Sequence, residues 1–224
     1  MESSVGKRID VAVFPLANAV LFPGVSLPLH VFEGRYEKML EDVHARGWQL
    51  AVSLVEASEN PSEFVLNSIC GAGEVQIFRE YPNGASDILV HGKQRVKLLN
   101  FIQQEPYLVM EAEIIRPIMV PRGQDAKQTA KGALAQFQAL AKTWAFLNPQ
   151  LPQEAPFLFQ EIKDLGQLCD FFVFHFLKRP LDKQVYLNNA SANERAEMLT
   201  HYLETDLLRL TRKVNRHKRS LLMH

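Results

Sequence analysis

Ser26, in GVSLP at 24–28, is a first candidate for chemistry, because a G-x-S-x-G turn is how many hydrolases hold a nucleophilic hydroxyl above a sheet. Here Pro28 occupies the place where a second glycine must allow close packing, so Ser26 reads as an ordinary loop hydroxyl. GAGEVQ at 71–76 opens like a dinucleotide fingerprint but lacks the last glycine and leads into a strand, which makes its glycines a bend or bulge in a sheet. His175, among the phenylalanines of FFVFHFLKRP, reads as a neutral core histidine with one satisfied ring nitrogen. Glu33 and Arg35 could act as an acid and an electrostatic clamp, but at a strand-to-helix junction they better suit a pairing with each other or with backbone donors.

Other machinery is missing from the pattern. There is no GxxxxGK[ST] loop to cradle nucleotide phosphates and no HExxH or CxxC, and the seven histidines do not share the spacings of a metal site. No catalytic residue, metal or cofactor is assigned, and the chain is expected not to be an enzyme.

The elements that would position these residues change character near residue 118. Before it, IDVAVF, SLPLHVF, WQLAVSLVE, EVQIFREY, DILVHG, RVKLLNF and YLVMEAEII carry β-branched and aromatic residues in partial alternation, punctuated by glycine, proline and asparagine. That pattern predicts a barrel-like sheet, with a hairpin loop around Asn83-Gly84. EGRYEKMLEDVHARG spaces Tyr36, Met39, Leu40 and Val43 as one helix, with Gly47 past its end. After PIMVPRGQ the periodicity is helical: a stripe through Ala126, Ala130, Phe137, Trp144 and Leu147, a buried helix after Asp164, a short one from Pro180, and a long one opened by the Ser191/Glu194 capping box and running through Leu199, Leu203, Leu207, Leu210 and Val214. The expectation is an α+β chain, a β-rich part over 1–118 and a bundle of about four helices over 119–224.

A chain of 224 residues with 47% apolar and 22% charged residues can bury a core without staples, and Cys70 and Cys169 in apolar contexts suit free thiols better than a disulfide. A formal net charge of zero gives no global pull towards nucleic acid or anionic lipid. The N-terminus is too polar for a secretory signal, and no stretch approaches the roughly 20 apolar residues that cross a bilayer. Together these favour the cytoplasm, with neither membrane nor nucleic acid as the expected partner.

Two surface features remain. Arg209, Arg212, Lys213, Arg216, Lys218 and Arg219 cluster near the end of the last helix, where positive charge complements the helix dipole; a solvated helix end is the plainer reading, docking to an acidic partner the other. Phe22 and Val25 flank the turn of LFPGV at 21–25, where apolar groups either tuck under a neighbour or form an interaction patch.

FPLANAVLFPGVSLPLHVFEGRYEKML at 14–40 closely resembles the opening signature of the Lon protease N-terminal domain, in which FPL, LFPG, LPL and FE-x-RY-x-x-M recur in order. GAGEVQI, DILVHGKQRVKLL with its G-x-x-R at Gly92 and Arg95, and EPYLVMEAEI resemble later sections of that family, as do Asp170, Lys183-Gln184 and Arg195. The resemblance spans roughly residues 10 to 205. It implies a PUA-like β-barrel followed by a helical bundle, a substrate-recognition role, and ATP hydrolysis and peptide cleavage residing in domains not found in this sequence. In that setting Phe14, Leu16, Leu21, Leu29 and Phe32 are expected to point inward, each worth roughly 1.5 to 3 kcal/mol when fully buried. The expected function is a non-catalytic module that binds unfolded or exposed apolar polypeptide segments, as an adaptor or regulator in protein quality control, with a separate Lon protease as a possible partner. Phe22, Val25 and Tyr81 are the expected contacts, since all three sit at predicted loop tips. An RNA-binding PUA-like module is the alternative, suggested by the basic last helix and opposed by the zero net charge.

Overall fold

Apolar alternation sets the first half of the chain into strands β1 (Arg8–Leu16), β2 (Ser26–Val31), β3 (Gln49–Ala57), β4 (Phe64–Leu66), β5 (Ile69–Glu80), β6 (Ser86–Gln103) and β7 (Leu108–Ile115), with helix α1 (Gly34–Arg46) between β2 and β3. The computed structural model describes residues 6–57, 64–118 and 124–221. The side chains of Ala126, Ala130, Lys213, Val214, Arg216, Lys218 and Arg219 lie outside that description. β1 pairs β3 in parallel and β7 antiparallel, and β7–β6, β6–β5 and β5–β3 are antiparallel, so these strands close on themselves as a barrel. β2 adds to β6, and β4 adds to β3. The segments DILVHG and RVKLLNF are one continuous strand, and β4, three residues long, was too short to show a period.

One face of β1 fills the barrel: Val11 and Val13 pack with Ala51, Cys70, Ala72, Val96, Leu98, Met110 and Ala112. The other face lies under α1, where the Phe14 and Tyr36 rings meet at 4.4 Å. α1 buries Tyr36, Met39, Leu40 and Val43, the residues its spacing predicts, and ends at Gly47 in the left-handed conformation, φ 64°. Burial pushes the Cys70 thiol up to about 12, and Cys70 and Cys169 are both buried and outside any disulfide. At the β5–β6 hairpin only Gly84 takes a positive φ, 89°, while Asn83 accepts the Ala85 N–H on its side-chain oxygen at 3.3 Å.

The LFPG segment does not project. A Cβ on Gly71 would stand 2.0 Å from the Leu21 carbonyl oxygen, and one on Gly92 2.0 Å from that of Phe22. The glycines of GAG and HGKQR thus let residues 21–22 lie directly on β5 and β6. Gly24 N–H donates to Gly92 O, and Gly92 N–H donates to Val25 O, both at 2.9 Å, which fastens the turn down. Phe22 is therefore fully buried and Val25 buried, contrary to the loop-tip placement expected for them. Phe32 departs the other way: expected inward, it is 67% exposed, because it lies past the end of β2 where the barrel no longer covers it.

The second half carries helices α2 (Gln124–Leu147), α3 (Ala155–Glu161), α4 (Leu165–Phe176), α5 (Pro180–Leu187) and α6 (Ala192–Leu221). α3, in APFLFQE, stands beyond the four expected. Asp164 Oδ1 accepts the Gln167 N–H at 2.8 Å and Ser191 Oγ the Glu194 N–H at 3.3 Å, so both caps form. None of the described helices is long and apolar enough to cross a membrane.

By packing, the chain divides into two compact units, residues 1–117 with 170–190 and residues 118–169 with 191–224. The first crossing falls where the composition changes; the return of 170–190 to the barrel unit has a polar cause. Arg95 on β6 forms a two-pronged ion pair with Asp170, Nη1 to Oδ2 at 2.8 Å and Nη2 to Oδ1 at 2.7 Å, and its Nε donates to the Leu187 carbonyl at 2.9 Å. Gln184 Nε2 donates to the Ile69 carbonyl on β5 at 2.8 Å. In the other unit, Phe137, Ala141, Trp144, Phe159, Leu199, Leu203 and Leu210 are buried, and Trp144 Nε1 donates to Asp206 at 2.9 Å.

Arg95 and Asp170 are 7% and 2% exposed, so removing one charge strands the other away from water. Asp170→Asn is expected to lower unfolding stability by about 3–5 kcal/mol, and Arg95→Met with Asp170→Leu to recover much of it. Urea denaturation of the three proteins checks this; an unchanged midpoint for Asp170→Asn contradicts it.

Candidate functional site

β2, the first half of β6 and the second half of β5 form a three-stranded region whose register puts defined side chains on one exposed face. Ser26 stands opposite His91 and His30 opposite Asp87 across β2–β6, and Asp87 stands opposite Arg79 across β6–β5. Strand alternation therefore gathers Ser26, His30, Asp87, His91 and Arg79 on one side, while Leu27, Val31, Ile88 and Val90 are buried on the other.

At the hairpin end, Asp87 accepts twice, from Tyr81 hydroxyl at 2.6 Å and from His30 Nδ1 at 2.7 Å. The His30 ring lies 6.0 Å from Phe32 in a stacked pose and 5.8 Å from Tyr81 edge-on, and the Arg79 guanidinium stands 5.9 Å from the Tyr81 ring. Phe78, 55% exposed, is the extra residue of a bulge between Ile77 and Arg79. An aromatic row with polar tips results, held by a carboxylate whose pKa the Tyr81 hydroxyl and, next, the His30 ring keep below the usual aspartate range.

At the other end, Ser26 Oγ lies 2.7 Å from His91 Nδ1, and His91 Nε2 lies 2.9 Å from Gln76 Oε1. With the Gln76 oxygen accepting from Nε2, Nδ1 is left to accept the serine proton. This is a serine beside a base, but the third partner is a neutral amide, which cannot stabilise an imidazolium as a carboxylate does, and the bonds are exposed to water. The arrangement ties β2, β6 and β5 together.

The remaining candidates are structural. Arg35 Nε donates to Glu33 at 2.8 Å on the surface, the mutual pairing that their spacing suggested. His175 is exposed rather than a core residue, although its ring lies 4.4 Å from Phe171 and 4.9 Å from Phe174; burial against them, then the nearby Lys183 charge, lowers its pKa and favours the neutral ring. Of the three expected contacts, only Tyr81 belongs to the exposed face. The meeting of His30 and Asp87 with Tyr81 was not readable, since only cross-strand register produces it; the FE of the opening signature was the one available signal for Phe32.

The family model described as the ATP-dependent protease La (LON) substrate-binding domain matches residues 10–205. The chain belongs to this family. It is similar to the Lon protease of Azospirillum brasilense, 26% identical over 92% of this chain and 26% of that protein, and to the Lon protease of Escherichia coli K12, 26% identical over 99% of this chain and 28% of that one. The chain thus spans about a quarter of the length of the curated relatives it matches. Its fold resembles the Lon N-terminal domain protein of Xanthomonas campestris, TM-score 0.60 at 16% identity over 87% of this chain and 98% of that one. The N-terminal domain of the Mycobacterium avium complex Lon protease matches with TM-score 0.64 at 15% identity, over 88% and 98%. These matches agree with the α+β reading of a strand-rich sheet followed by a helical region. Among the residues that carry the Lon resemblance, Gly92, Arg95, Asp170 and Gln184 serve architecture: close backbone approach, the ion pair and the bond to Ile69.

Because the folded pKa of Asp87 lies below its unfolded value, its contribution to stability is present above the ordinary aspartate range, about pH 4, and is lost as pH falls through the lowered value. The stability gap between wild type and Asp87→Asn is expected to be open at neutral pH and to close in acid. Denaturant midpoints across that range check it, and a gap that widens in acid contradicts it.

Proposed function

We propose that this chain is a non-catalytic module that binds exposed apolar segments of unfolded polypeptides through the aromatic row on the β2–β6–β5 face. The observation carrying this reading is Phe32: a phenylalanine 67% exposed, stacked on His30 and backed by Tyr81, in a member of the Lon substrate-binding domain family. Aromatic side chains with few torsions give large contact area at low entropy cost, and tolerate varied partners because any apolar side chain can pack on a ring. Tyr81 remains a direct contact in this reading. Phe22 and Val25 are buried and are not contacts in this reading; Phe22 lies 5.9 Å from the Arg95 guanidinium. In the cell the module acts in the cytoplasm as an adaptor or regulator of protein quality control, with a separate Lon protease as the natural recipient of what it binds. RNA binding is not favoured: the formal net charge is zero, and the family model is that of a protease's substrate-binding domain.

Fluorescence titration of one protein in its unfolded and native forms tests the proposal. Wild type is expected to prefer the unfolded form, and Phe32→Ser to weaken that binding about tenfold without loss of stability, while Tyr81→Ser weakens binding similarly but also gives up the hydrogen bond to Asp87 and the stability that goes with it. Phe22→Ser is expected to destabilise the fold by about 3–5 kcal/mol instead. Equal binding of both forms, or none, ends the proposal.

A further inference from the structure

A strand uses alternate N–H and C=O groups on its two sides, and among the described residues β5 pairs a strand on only one side along its second half. At Gly71–Gly73 it pairs β3 on one side and β6 on the other. From Glu74 opposite His91 to Ile77 opposite Ile88 it pairs β6 alone, and among the described residues no strand pairs its other side. Glu74, Gln76, Ile77 and Phe78 are exposed, Ile77 at 40% and Phe78 at 55%. β2 also pairs β6 alone, but carries Pro28 in its middle, a residue that blocks strand addition. β5 has no such guard: ICGAGEVQIFRE is free of proline.

We propose that the outer edge of β5 over Glu74–Ile77 receives an extended segment of the bound polypeptide as an added strand, with Phe78 packing on its side chains at the bulge. The inference rests on the polypeptide-binding reading and specifies how the client is held. Main-chain groups recognise backbone whatever the side chains, and an unfolded chain is the partner whose own N–H and C=O groups are free to pair. A second copy suits the edge less well. Antiparallel self-pairing of Glu74–Ile77 sets each Glu74 against the apolar Ile77 of the other copy and brings the bulges at Phe78 to both ends of a four-residue ladder.

Amide hydrogen exchange on the full chain decides it, using a proline-free peptide of alternating valine and threonine and the same peptide N-methylated at successive central residues. Binding is expected to slow exchange within residues 74–77, and methylation to weaken it about tenfold or more, because the peptide loses its donors and gains a steric block. Binding without new protection at 74–77, or indifferent to methylation, overturns strand addition and leaves polypeptide binding standing. Absence of binding by the unmethylated peptide and by unfolded protein alike overturns both. Protection at 74–77 that rises with protein concentration, without peptide, assigns the edge to a second copy and overturns the proposal.

Discussion

Within the barrel unit, the Arg95 guanidinium is the buried charge that fastens residues 170–190 to the sheet. Arg95 reaches from β6 to the Asp170 carboxylate on α4 and to the Leu187 carbonyl at the end of α5, with Phe22 beside it. Buried charge is tolerable only when geometry and hydrogen bonds compensate desolvation, and a planar fork meeting a carboxylate on two parallel bonds is the geometry that does so. Such a pair is weak evidence for net stability, but removing either partner alone leaves the other charge buried and uncompensated.

A second constraint is steric. With a Cβ at Gly71 or Gly92 the LFPG segment could not lie on the barrel, and Leu21 and Phe22 would lose their burial. The proline-marked turn and the glycines some fifty and seventy residues later are halves of one contact. The apolar content of LFPG thus goes into the core. Phe32, just beyond β2, and Phe78, at the bulge, are left open to water instead.

The exposed face combines rigidity with adaptability. Cross-strand hydrogen bonds fix Tyr81, His30 and Asp87 relative to one another, while the rings of Phe32 and Phe78 stay open to water. Recognition of many unfolded segments requires firm, accessible aromatic surface and, beside it, unpaired backbone.

Local chemistry was legible in the sequence wherever it acts over a few residues. The Ser191 and Asp164 caps and the α1 stripe ending at Gly47 formed as read, and the strand runs formed with DILVHG and RVKLLNF joined into one strand, because propensity, capping and periodicity depend on neighbours within a turn or two. β4 and α3 escaped, being too short to show a period. Tertiary structure alone decided which loops tuck in and which side chains meet. Phe22 and Phe32 are the same residue type ten positions apart, and only packing against glycines far along the chain buries the first and leaves the second in water. The face of His30, Asp87 and Tyr81 likewise exists only once β2, β6 and β5 adopt their register, since side-chain proximity in a sheet is set by pairing between distant segments.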